Sequence, residues 1–210
     1  MSRLVFVLLL FLPQPQRLLV DDLVDRVSQT YGRLRNFQAE IEQIQEFSSN
    51  QTSRLRGHVY LKSGRRARFD YQSPKELSEY FDGKTYTRFE PIIGQARQKS
   101  MGKADEEYLA ILQIVGNPES PWKDQFGKKE SLNEVPLTPG DQVVRLTPKN
   151  KNLKDVLIEV DPRTFLIHRL VFTYTGGERN EFRFKDIKTT PLDDAMFIFK
   201  APPGVTVIKE

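Results

Sequence analysis

The chain has 210 residues, 38% of them hydrophobic and 29% charged, with a formal net charge of +4 and an isoelectric point near 9.2. That length suits one domain, and plentiful aromatics (14 Phe, 7 Tyr) beside a low hydrophobic total argue for a folded chain with a thin or cavity-bearing core rather than for disorder. The absence of cysteine excludes disulfides, thiolate catalysis, zinc–thiolate sites and a lipidated N-terminal cysteine, while the mild positive charge suits an anionic surface and no nucleic-acid partner is expected.

At the start, Arg3 precedes the apolar run 4–12, and Pro13-Gln14-Pro15-Gln16 follows it. A bilayer span takes about 20 residues, so the run is too short to cross one. It has the length of a secretory h-region behind a basic n-region. Residues 1–17 are read as an export signal and 18–210 as a single domain, with a buried strand as the other reading of the run.

In residues 18–34, Leu19, Leu23, Val27, Tyr31 and Leu34 recur at steps of three and four, which predicts one amphipathic helix. From Asn36 the period becomes two. Phe37, Ala39 and Ile41 alternate with Gln38, Glu40 and Glu42 in a strand reaching about Phe47, and residues 54–62 return with Leu55, Val59 and Leu61 on one side. In residues 66–91, three aromatic runs are cut by Ser73-Pro74 and by the hairpin signal Asp82-Gly83. Phe69 and Tyr71 share one face there, with Arg68, Asp70 and Gln72 on the other, the pattern of a sheet buried on one side only.

Beyond Pro91, Ile92-Ile93-Gly94 shows no alternation, and residues 105–116 read as a short apolar helix carrying Leu109, Leu112 and Val115. Strands are predicted over 142–147, 155–161, 165–175 and 178–187, and a last edge strand over 196–199 and 205–208, broken by prolines. The fold class is mainly β with α: ten or eleven antiparallel strands in a barrel or strongly curved sheet, with one N-terminal and one central helix.

No catalytic constellation emerges. His58 and His168 sit in separate strands without metal-ligand spacing, and Ser100–Lys103 and Ser120–Lys123 match Ser-x-x-Lys without its companion motifs. Neither enzymatic activity, nor a cofactor, nor a metal is expected. The basic run Arg54, Arg56, Lys62, Arg65, Arg66, Arg68 fits a solvated sheet face better than a docking site.

The order of motifs resembles the periplasmic outer-membrane lipoprotein carrier family, LolA. The matching pieces are Phe37-Gln38-Ala39-Glu40-Ile41-Glu42-Gln43, the segment 57–62, Arg68-Phe69-Asp70-Tyr71-Gln72-Ser73-Pro74, Asp82-Gly83-Lys84-Thr85, Phe89-Glu90-Pro91, Leu146-Thr147-Pro148-Lys149 and Phe197-Ile198-Phe199-Lys200-Ala201-Pro202-Pro203-Gly204-Val205. The resemblance implies an incomplete antiparallel barrel of about eleven strands, closed by a helical lid over an apolar cavity. It implies a monomeric carrier that takes lipoproteins from an inner-membrane ABC releasing complex, shields their acyl chains and passes them to an outer-membrane receptor.

On that reading Phe37, Ile41, Val59, Leu61, Phe69, Tyr71, Tyr86, Phe89, Leu157 and Phe172 form the cavity wall. Ile92, Ile93, Leu109, Leu112 and Val115 form the lid. The family's Arg-Pro after the second strand is Ser63-Gly64 here, which leaves lid gating or docking to Arg65, Arg66 or Arg68, or leaves it absent. A lipid- or lipoprotein-sensing regulatory module on the same half-barrel, as in the related anti-sigma-factor regulators, is the alternative role.

Overall fold

The computed structural model describes residues 17–49, 51–102 and 122–210. The run 4–12, most of the expected export signal and the helix expected over 105–116 lie outside these residues. The predicted N-terminal helix forms as α1 (Val20–Arg33), with Asp21 and Asp22 in its first turn and Arg33 in its last, each opposite in sign to the helix dipole there. Leu23, Val24, Val27 and Tyr31 are buried, whereas Leu19 caps the helix and is exposed.

Twelve strands follow among the described residues: β1 (Asn36–Glu46), β2 (Thr52–Lys62), β3 (Arg66–Ser73), β4 (Leu77–Phe81), β5 (Thr85–Glu90), β6 (Gln95–Ser100), β7 (Phe126–Leu132), β8 (Gln142–Pro148), β9 (Leu153–Val160), β10 (Ile167–Tyr174), β11 (Arg179–Lys188) and β12 (Thr206–Lys209). They form one sheet in the order β12-β6-β5-β4-β3-β2-β1-β11-β10-β9-β8-β7. Every pairing is antiparallel except β12 with β6, and the terminal strands β7 and β12 are not paired to each other, so the barrel stays open.

Alternation sorts the side chains. One face brings Phe37, Ala39 and Ile41 of β1, Val59 and Leu61 of β2, Phe69 and Tyr71 of β3 and Phe172, Phe182 and Phe184 of β10–β11 into a single core with α1. There the Phe37 ring meets Phe184 edge-on at 5.5 Å and Tyr31 at 6.3 Å, and the Tyr31 hydroxyl accepts a hydrogen bond from the Ile167 backbone N–H at 2.9 Å.

Asp82-Gly83 makes the hairpin between β4 and β5: Gly83 takes a φ of 102°, and the Asp82 carboxylate accepts the backbone N–H groups of Lys84 and Thr85. Arg145, Leu157, Arg169, Glu181, Arg183 and Glu42 lie on the other, outer face. Glu181 is buried there under Arg169, Arg179 and Arg183, whose hydrogen bonds hold its carboxylate below the usual range against the upward push of burial.

The structure departs from the sequence reading in three places. β6 and β7 form where the sequence carried no assignment, because each buries a single apolar residue (Ala96 and Phe126) and so shows no alternating face. Residues 196–199 are not a strand. They belong to a strap, 189–205, that leaves β11, makes a 3₁₀ turn over Asp194–Phe197 and crosses the outer face of β1–β5. The strap is fixed by Gln38 to Thr190 at 2.6 Å, by Lys62 and Arg66 to Asp194, by Arg68 to the Met196 carbonyl at 3.4 Å and by Phe199 between the rings of Tyr80 and Phe89. Third, the turn after β9 runs through Phe165, whose φ is 60°, so β10 starts two residues later than expected.

Candidate functional site

Antiparallel alternation puts the β1–β2, β3–β4, β5–β6 and β10–β11 turns at one end of the sheet. The link from α1 into β1, and the β2–β3 and β4–β5 turns, lie at the other. The inner face towards the first end encloses a cavity of about 720 Å³. Phe47, Pro74, Lys75 and Glu178 come from the turns at its mouth and Tyr174 from the end of β10. Deeper, Phe69 and Tyr71 of β3, Leu77 and Phe81 of β4 and Phe182 of β11 supply apolar wall, and the Phe69 and Tyr71 rings lie 6.0 Å apart and nearly parallel.

Several polar groups in the wall bond to one another. Tyr71 donates to the Gln43 side-chain oxygen, and Gln43 Nε2 donates to Asn180 Oδ1 at 3.1 Å. On β4 and β5, Tyr86 donates to Glu79 Oε1 at 2.8 Å, with Arg88 Nη1 at 3.5 Å from the same oxygen. Burial pushes the Glu79 carboxyl above its ordinary range, and the Tyr86 hydrogen bond and Arg88 charge only partly oppose it. Glu90 is held low by Lys75, at 2.8 Å, and by Arg88.

Of the expected wall residues, Phe69, Tyr71 and Tyr86 line this cavity. Phe37, Ile41, Val59, Leu61 and Phe172 share the inner face but are consumed in the core with α1 and β11. Phe89 pairs with Ser78 on the outer face and packs on Phe199 of the strap, 5.3 Å between centroids. Leu157 alternates with the core residues Val156 and Ile158, which places it on the outer face too.

Ile92 and Ile93 form a 3₁₀ turn at the mouth end, both exposed. Leu109, Leu112 and Val115 lie outside the described residues. Arg66 and Arg68 point away from the cavity and grip the strap, while the Arg65 guanidinium sits 5.9 Å from the Phe81 ring centroid. The histidines are equally local: His58 stacks on Tyr60, and His168 Nδ1 lies 2.6 Å from Asp141 Oδ2.

The sequence reading missed Leu77, Phe81, Phe182, Glu79 and Arg88. The first two stand at alternate positions with Glu79 in Leu77-Ser78-Glu79-Tyr80-Phe81, and that spacing was the available signal.

Among the described residues, an open twelve-stranded half-barrel holding a cavity beside α1 defines an open β-sheet protein with an internal pocket rather than a closed barrel or a sandwich. The model of the family described as outer membrane lipoprotein carrier protein LolA matches residues 33–200, and the chain belongs to that family. It is 28% identical over 185 residues to an outer-membrane lipoprotein carrier protein of Proteus mirabilis, covering 86% of this chain and 85% of the relative. To the protein of the same name from Klebsiella pneumoniae it is 28% identical over 178 residues, covering 83% and 82%. Among solved structures, an uncharacterized conserved protein from Thermus thermophilus shares the fold with a TM-score of 0.57 at 14% identity, covering 90% of this chain and 98% of that one.

Proposed function

We propose that the chain is a periplasmic carrier that binds the acyl chains of lipoproteins within its cavity and catalyses no reaction. The observation that carries this reading is the cavity itself, about 720 Å³ on the inner face of an open sheet, with Phe69, Leu77, Phe81 and Phe182 as apolar wall among polar groups. Pockets that bury a small ligand run from about 300 to 1,000 Å³. Each CH₂ moved out of water contributes about 0.8 kcal/mol, so a carrier must offer apolar wall in proportion to chain length, and Phe69, Leu77, Phe81 and Phe182 offer it.

The chain works as a monomer. It accepts cargo from an inner-membrane ABC complex, delivers it to an outer-membrane receptor, and uses residues 1–17 for export. Ile92 and Ile93, exposed at the mouth, close over the cargo. The LolA family match and the names of its relatives support this reading.

The test is release. The mature protein, incubated with spheroplasts making a lipoprotein, is expected to carry that lipoprotein into the soluble fraction as a complex. Leu55→Glu, at a half-buried position of the cavity wall, is expected to keep the sheet, read by circular dichroism, and lose the complex. Lipoprotein left in the membrane by the wild type, under conditions where a known carrier releases it, would sink the proposal.

A further inference from the structure

A cavity for hydrocarbon alone needs no charged wall, yet β4 and β5 provide one. Glu79 and Arg88 face each other in register, as do Phe81 and Tyr86, and all four line the cavity. Arg88 reaches Glu79 Oε1 at 3.5 Å and Glu90 Oε1 at 3.3 Å, both at the long end of hydrogen-bond range. A guanidinium carries five N–H donors, and two such contacts leave it with capacity to donate further.

The charges at this wall balance. Arg88 and Lys75 stand against Glu79 and Glu90, with Lys75 2.8 Å from Glu90 Oε2. Nothing here calls for an anion. Filling the cavity with plain hydrocarbon would take water from Arg88 and Glu79 and return no hydrogen bond, which is unfavourable for each buried polar group.

Building on the carrier reading, we propose that the acyl ligand binds with an uncharged carbonyl linkage, an ester or an amide, accepting from Arg88, while its chain runs towards Phe69 and Phe182. Arg88 selects a chain with a carbonyl at its head over bare hydrocarbon and over a phosphate-headed lipid.

The mature protein is titrated calorimetrically with monopalmitoylglycerol and with its ether analogue hexadecylglycerol, which lacks only the carbonyl. The wild type is expected to bind the ester about tenfold more tightly, as one hydrogen bond to a charged donor allows. Arg88→Met is expected to bring the two within about twofold of each other, by weaker binding of the ester and tighter binding of the ether, which no longer has a guanidinium to dry. Arg88→Gln, which keeps a polar side chain, repeats the measurement if the Met variant does not fold. Palmitoylethanolamide extends the comparison to the amide source, and preference for either carbonyl compound over the ether upholds the proposal.

Equal binding of ester, amide and ether by the wild type overturns the proposal, as does a preference that survives in both variants or tighter binding of lysophosphatidic acid of the same chain. In each case the carrier reading stands. Failure of every one of these ligands to bind overturns the carrier reading itself.

Discussion

Gly57 ties one missing atom to the geometry of the sheet. A Cβ built there would lie 1.9 Å from the Asp70 backbone oxygen and 2.7 Å from the Tyr71 Cα, at a register shift between β2 and β3. The strands approach more closely than any side chain permits, so Gly57→Ala is expected to cost about 2–3 kcal/mol. The measurement is the urea midpoint, and an unchanged midpoint would mean that the close approach relaxes freely.

Glu79 makes the opposite kind of residue-scale case, a polar group kept where stability does not favour its charge. Its folded-state pKa is raised, so between the unfolded and folded values the native state binds more protons than the unfolded chain. Stability from this group is therefore full below the unfolded carboxyl pKa and is lost as pH rises through the folded one. Glu79→Gln is expected to flatten that fall: unfolding free energies of variant and wild type should draw apart as pH rises from about 4 to about 7. Parallel curves would show that the carboxyl is solvated in the native state.

Among the elements, those with two contrasting faces were legible in the sequence. Phe69 and Tyr71 against Arg68, Asp70 and Gln72 specify β3 and its orientation, and Leu23, Val27 and Tyr31 specify α1. β6 and β7 were not legible because they lie near the open margins of the sheet and bury too little to leave a pattern.

The outer face misled for a related reason. Alternation says which residues share a face, but Phe89 is apolar on the outer side because the strap brings Phe199 to it from 110 positions away in the chain. No local signal encodes that meeting. The same strap explains Arg66 and Arg68, which hold a segment of their own chain.

The strap should therefore depend on burial more than on its ion pairs. Phe197 is wholly buried, and Phe197→Ala is expected to cost about 3–5 kcal/mol. Asp194→Ala removes only exposed pairs with Lys62 and Arg66 and is expected to leave the thermal midpoint almost unchanged. A large loss in the Asp194 variant, with little in the other, would reverse that assignment.

At the scale of the whole molecule, α1 and the core fill one end of the curved sheet, and the cavity takes the other. The division decided which aromatics could be told apart beforehand. Phe37 and Phe69 stand at inward positions on their strands and both belong to the core, but only Phe69 also lines the cavity, because Tyr31 of α1 and Phe184 pack on Phe37. Alternation identified the inner face; the three-dimensional packing of a helix remote from β3 in sequence determined what remained empty.

The pairing of β12 with β6 bears on self-association. An unpaired strand edge is a template for a neighbouring chain, and short or charged edges blunt it. β7, at one margin, carries Lys128 and Glu130. At the other, the six-residue edge of β6 is covered by the four-residue β12, behind Pro202 and Pro203. β12 follows every other strand in chain order, so a folding molecule presents a bare β6 edge until its last strand docks. A chain ending at Val205 is expected to keep its sheet and cavity but to form concentration-dependent oligomers in sedimentation experiments; a truncated chain that stays monomeric would show β6 to be safe uncovered. Four exposed residues with no part in the cavity would then keep each copy apart from the next.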